Sequence, residues 1–149
     1  NPVLSELWRV LKPGGLISFR EIDFGANLYY PEDSAFKELM TIFRKSIAHN
    51  QGNPDIGRSL ASSLSNAGFN IQETLASYAQ SPTEEAKKGM YGAMTALWEQ
   101  AEFPKQAVEL GWITDEERIG LPDRLKQESI QPGIINGTTY VEVAGTKIQ

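Results

Sequence analysis

The 149-residue sequence has no cysteine and a single histidine, His49. Without cysteine there can be no disulfide and no thiolate metal site, a composition that suits a reducing compartment such as the cytoplasm. Basic runs are missing as well: 14 Lys and Arg stand against 19 Asp and Glu, a formal net charge of −5. No basic run is there to neutralise phosphates, which argues against a nucleic-acid or anionic-membrane surface. No apolar run approaches the roughly 20 residues of a membrane span, and nothing reads as a signal peptide. Histidine and carboxylates nowhere share metal-ligand spacing, and no Ser/His/Asp arrangement is suggested. The partners left are a small molecule or another protein.

No internal repeat, low-complexity tract or interdomain linker interrupts the chain, so 1–149 reads as a single domain. It opens at Asn1 without an initiator methionine, already at the head of a helix, and reads as a piece of something longer. Asn1 is a good N-cap and Pro2 a good first helical residue, followed by Leu4, Leu7, Trp8 and Leu11 at helical spacing. Pro13-Gly14-Gly15 then supplies a sharp turn into Leu16–Ile22, whose apolar character predicts a parallel strand covered on both faces. Polar residues gather at the end of that strand: Arg20, Glu21 and Asp23.

Phe24 to Pro31 reads as a loop carrying Tyr29 and Tyr30. The stripe Phe36, Leu39, Met40, Phe43, Ile47 predicts a helix from Ser34 to about Asn50, with His49 in its last turn, where the dipole favours a cation. Pro54 restarts a helix through Leu60 and Leu64, closed by Gly68, and Phe69–Gln80 reads as a second strand. Ser81-Pro82-Thr83-Glu84 fits a capping box opening a helix with the stripe Met90, Met94, Leu97, Ala101 and with Tyr91 and Trp98 beside it. A short helix from Pro104 ends at Gly111, Thr114 and Glu117 form another capping box, and Gly120 with Pro122 predicts a kink or a break. Asn136-Gly137-Thr138 reads as a turn rather than a glycan site, and Thr138–Val143 as a final strand.

Three segments in this order carry a resemblance: Arg9-Val10-Leu11-Lys12-Pro13-Gly14-Gly15 with the strand after it, Ala67-Gly68-Phe69, and the closing Val143-Ala144-Gly145-Thr146-Lys147. Together they resemble the C-terminal half of a class I S-adenosylmethionine-dependent methyltransferase of the ubiquinone/menaquinone-biosynthesis type, over essentially the whole chain. The resemblance implies an α/β fold, the C-terminal part of a Rossmann-like sheet. Leu16–Ile22 would be the fifth strand, Phe69–Gln80 the sixth, and Thr138–Val143 the antiparallel seventh slotted between them. Helices at 34–50 and 81–129 would be insertions covering the substrate. The family holds S-adenosylmethionine through a glycine-rich loop that follows a strand and opens a helix. Gly14-Gly15 instead precedes a strand, so no cofactor-binding residue carries over, and this chain alone is expected not to bind S-adenosylmethionine.

For methyl transfer to a small organic acceptor, the strand end supplies the candidates. Arg20 would orient an acidic substrate, and Asp23 or Glu21 would serve as carboxylate base; the plainer alternative is a solvated ion-pair cluster. Tyr29, Tyr30, Tyr91 and Trp98 are candidates for the substrate wall, the alternative for the loop tyrosines being an anchor on the core. In the family the fifth strand has a fourth strand beside it, absent here, so the exposed edge of 16–22 is expected to pair with a second copy. A non-catalytic methyltransferase-like module acting in dimerisation or interaction is the competing reading.

Overall fold

The computed structural model describes residues 2–148, so the expected N-cap at Asn1 lies outside the described residues. In chain order these residues form α1 (Pro2–Val10), β1 (Leu16–Ile22), β2 (Leu28–Tyr30), α2 (Ala35–His49), α3 (Leu60–Asn66), β3 (Phe69–Gln80), α4 (Glu84–Gln100), α5 (Phe103–Glu109), α6 (Asp115–Ser129) and β4 (Ile135–Lys147). Short 3-10 turns occupy Phe24–Ala26 and Ile56–Ser59. The fold is mixed α/β, and the chain divides into two compact units, one built from 2–26, 55–79 and 138–148, the other from 27–54 and 80–137.

In the first unit α1 and α3 pack on one face of a three-stranded arrangement. Leu4, Ile17, Leu60, Leu64, Phe69 and Val143 form its core, with Trp8 edge-on to Phe69 at 4.9 Å. β1 runs antiparallel to β4, Leu16 opposite Thr146 and Ile22 opposite Tyr140. β3 pairs with β4 on the other edge. There Gln72 Nε2 donates to Thr146 Oγ1 at 3.3 Å and Ser77 Oγ to Glu142 Oε1 at 3.5 Å, so partner numbers fall along β4 as they rise along β3. That is the antiparallel sense, and it leaves β4 between β1 and β3.

The turn into β1 is held by the other end of the chain. Gly14 takes φ +76°, a left-handed conformation that glycine adopts without steric cost. A β-carbon on Gly15 would come within 2.8 Å of both Leu11 Cδ2 and the Lys12 carbonyl oxygen. Lys147 donates from Nζ to the carbonyls of Trp8 and Leu11, at 2.6 and 2.8 Å, occupying acceptors that the end of α1 leaves open. Its backbone exchanges hydrogen bonds with Gly14 and Gly15.

β1 is not covered on both faces as its composition predicts. Ile17 is buried, but Leu16 is 65 % exposed and Ser18 and Arg20 are also exposed. The cause is pairing: antiparallel neighbours let one face remain solvated, and the core lies only on the Ile17 side.

In the second unit Leu28–Tyr30, expected to be loop, pairs antiparallel with the start of β4, Tyr29 opposite Asn136. Asn136-Gly137-Thr138 is correspondingly strand, not turn, and β4 starts at Ile135 and runs on to Lys147. The core is helical: Phe36, Leu39, Ile42, Tyr91, Trp98, Phe103, Ala107, Leu121 and Leu125. Along α4 the most buried positions are Lys87, Tyr91 and Trp98, with Met90, Met94 and Leu97 only partly buried, so the inner face is rotated by one residue from the predicted stripe. The cap of α4 is Thr83 rather than Ser81. Its backbone is extended and its hydroxyl accepts from the Ala86 N–H at 3.1 Å, whereas the Ser81 hydroxyl meets Met90 Sδ.

Two further points concern α6. The Thr114–Glu117 capping box forms with both reciprocal bonds. No break occurs at Gly120 and Pro122, and the helix is continuous from Asp115 to Ser129. Pro122 has no N–H for the carbonyl four residues back, at Arg118. Trp98 Nε1 donates to that carbonyl at 2.9 Å, so the acceptor orphaned by the proline is satisfied from α4.

Candidate functional site

The strand-end residues are held by separate partners. Arg20 pairs with Glu142 at 3.0 Å, across the β1–β4 register, and its guanidinium lies 4.1 Å from the centre of the Tyr140 ring. Both side chains of the pair are well exposed, so the ion pair is weak and open to exchange with a ligand. Glu21, opposite Val141, is also exposed.

Asp23 lies inward, 2 % exposed. Arg58 grips both its oxygens, Nε to Oδ2 at 2.7 Å and Nη2 to Oδ1 at 2.6 Å, and the Arg58 backbone N–H adds a bond of 3.0 Å. This geometry ties the end of β1 to the turn that leads into α3. Gly57 permits the approach: a β-carbon there would stand 3.0 Å from Asp23 Cβ and 3.1 Å from Val141 Cγ2. The guanidinium bonds hold the Asp23 carboxyl below its usual range, outweighing burial, which acts the other way. A carboxylate so lowered and so fully bonded is a weak proton acceptor, since a general base works best with a pKa near the working pH.

Tyr29 is half-buried, its hydroxyl accepting from Asn27 Nδ2 at 3.1 Å and its ring 6.3 Å from Phe36, whereas Tyr30 is 61 % exposed. Tyr91 and Trp98 sit in the core of the second unit, 1 % and 3 % exposed. Trp98 is committed to the Arg118 carbonyl. Tyr91 belongs to a buried polar chain: its hydroxyl donates to Glu128 Oε1 at 2.6 Å and accepts from Asn136 Nδ2, while Glu128 Oε2 accepts from the Ala35 N–H at 2.6 Å. Burial first, then the Glu128 carboxylate at its hydroxyl, pushes the Tyr91 phenol far above its ordinary range against a smaller opposing effect of Asn136.

Sequence reasoning missed Arg58, Glu128 and Asn136. Their partners lie 35, 37 and 45 residues away, and no local spacing announces such contacts. His49 ends α2 on the surface, edge-on to Trp112 at 5.7 Å. Among the described residues no group of three or more His, Cys, Asp or Glu side chains comes together as a metal site. No helix among them is long and apolar enough to cross a membrane.

The segments that lead from strand to helix are 81–83 before α4, 31–34 before α2, and 23 before the 3-10 turn at Phe24–Ala26. None is a glycine-rich loop opening an α-helix. The residues present do not fit the S-adenosylmethionine site that the resemblance brings with it.

No family model matches the sequence, and no curated protein matches it. Among solved structures the chain is similar to Haemonchus contortus phospholethanolamine N-methyltransferase 2, in complex with phosphomonomethylethanolamine and S-adenosylhomocysteine, at 17% identity and a TM-score of 0.37. That match covers 99% of this chain and 29% of the other, so the chain spans less than a third of that protein's length. At this level of likeness neither an activity nor a substrate passes from one protein to the other.

Proposed function

We propose that the chain is the C-terminal, substrate-recognising part of a class I S-adenosylmethionine-dependent methyltransferase of the ubiquinone/menaquinone type, acting on a small organic acceptor. The observation that supports this most is the strand arrangement, with β4 antiparallel between β1 and β3. The resemblance carried by Arg9–Gly15 requires that order, with β1 as the fifth strand, β3 as the sixth and β4 as the seventh. The helices of the second unit then read as the substrate-covering insertions.

Methyl transfer is an in-line displacement, so the protein mainly has to align the acceptor, holding reacting atoms about 3–3.5 Å apart. In this reading Arg20 orients an acidic group of the acceptor, in exchange for Glu142. Glu21 is preferred over Asp23 as the carboxylate base, because both Asp23 oxygens are taken by Arg58. The cofactor would come from residues outside this chain. The test is methyl transfer from radiolabelled S-adenosylmethionine by the product of the intact gene, over a panel of small acids, phenols and amines. Transfer that drops on Arg20→Met and Glu21→Gln is expected. An intact product that does not bind S-adenosylhomocysteine would sink the reading, and stoichiometric micromolar binding of S-adenosylmethionine by residues 1–149 alone would overturn the placing of the cofactor site outside this chain.

A second reading, a dimerisation module, rests on the edge of β1. Among the described residues β1 bonds only to β4, and the other edge of Leu16–Ile22 offers strand-pairing groups beside an exposed Leu16. A second copy would cover it by antiparallel pairing about a two-fold axis. Light scattering at micromolar concentration distinguishes the cases, and a monomeric mass rejects the pairing.

A further inference from the structure

One buried side-chain polar atom among the described residues has no hydrogen-bond partner in the protein, Asn136 Oδ1. Leaving such an acceptor dry is costly, so a donor is called for. Asn136 lines a small cavity with Gln80, Ser81, Lys87, Met90 and Ile134, and the space open to the centre of a water molecule is about 10 Å³. That is enough for one water and too little for any organic ligand.

Lys87 decides what the occupant is. Its side chain is 8 % exposed, and its ammonium donates to the Gln131 carbonyl at 2.7 Å and pairs with Glu84 at 2.7 Å. An ammonium has three hydrogens, so one remains. Its positive charge on the cavity wall disfavours a metal cation, and the Asn136 carbonyl oxygen disfavours a halide. A neutral molecule that accepts from one side and donates to the other satisfies both.

We propose that a single water occupies this cavity, accepting from Lys87 Nζ and donating to Asn136 Oδ1. It completes a buried line of hydrogen bonds that runs from the Lys87 ammonium through water, Asn136 and Tyr91 to the Glu128 carboxylate and the Ala35 N–H at the start of α2. Glu128 is only 7 % exposed, and the line joins its carboxylate by hydrogen bonds to an ammonium that Glu84 already pairs.

Two measurements decide it. A crystal structure at a resolution that shows ordered water needs no variant. It is expected to hold one water within hydrogen-bond distance of Lys87 Nζ and Asn136 Oδ1, whereas an empty cavity, an ion, or direct contact between the two side chains overturns the proposal. In solution, Lys87→Met and Asn136→Leu form a double-mutant cycle. The combined rise in the unfolding constant is expected to fall short of the product of the single rises by at least about twofold. Full additivity rejects the coupling, and the crystal remains decisive if either variant fails to fold.

Discussion

Trp98 donates its indole N–H to the carbonyl of Arg118, 2.9 Å away, and that carbonyl is the one that Pro122 leaves without an intrahelical donor. A helix-breaking residue is thereby tolerated in the interior of α6. The bond predicts a specific pattern of coupling. Trp98→Phe keeps the aromatic packing but strands the acceptor, and is expected to destabilise by about 1–3 kcal/mol. Pro122→Ala restores an N–H to the helix, so the same substitution in that background should cost less by at least about 0.5 kcal/mol. Urea midpoints of the four proteins at constant m test it, and equal costs in both backgrounds would reject the compensation.

Asp23 should give the protein an acid limb. Its folded-state pKa lies below the ordinary value of 3.8, so the unfolded chain binds the proton first as pH falls. The Asp23–Arg58 contribution is therefore complete above about pH 4 and lost as pH drops through the folded value. Arg58→Gln is expected to lower the urea midpoint at pH 7 and to flatten stability below about pH 4, where acid titration of both proteins would reveal an unchanged slope if the pair were idle.

Tyr91 should act at the other extreme. Its phenol is held neutral in the fold, so above the ordinary value of 10.0 the unfolded chain loses a proton that the folded chain keeps. Stability is then full below pH 10 and falls as pH rises past it. Tyr91→Phe is expected to remove that alkaline limb. At neutral pH it should cost about 1–3 kcal/mol, because Glu128 Oε1 and Asn136 Nδ2 lose their shared partner. Thermal melts from pH 8 to 11 carry the readout, with an identical alkaline limb in the variant as the adverse result.

Gly15→Ala tests the turn before β1. The new methyl would meet the Lys12 carbonyl as well as Leu11 at 2.8 Å, and the backbone oxygen cannot rotate away. A loss of about 1–3 kcal/mol is expected, against a gain of about 0.5–1 kcal/mol for an alanine at the exposed Gly92 inside α4, which meets nothing within 4 Å.

Local features explain most of what the sequence made legible. The helix starts at Ser34 and Thr114, the stop at Gly68 and the strand at Phe69–Gln80 all depend on residues within one turn of each other. The misses depend on distant groups. Pro122 allows two short helices until Trp98, 24 positions earlier in the sequence, is known to reach the orphaned carbonyl. Asn136-Gly137 predicts a turn until β2 is there to pair with it. At the candidate site, the cluster of Arg20, Glu21 and Asp23 was visible as charge at a strand end. Its division into an exposed pair and a locked carboxylate was not, because Arg58 and Glu142 lie far along the chain.

The last strand carries a consequence for synthesis. Among the described residues β1, β2 and β3 each bond only to β4, so none of the three has a strand partner within them until 135–147 is made. During translation α2 and α4–α6 can begin to assemble, while Leu16–Ile22 waits more than a hundred residues for its β4 partner. Such high contact order slows folding and prolongs exposure of an aggregation-prone strand. Removing Ile135–Lys147 would therefore do more than shorten one edge. It would leave the described residues with helices and none of their strand pairing.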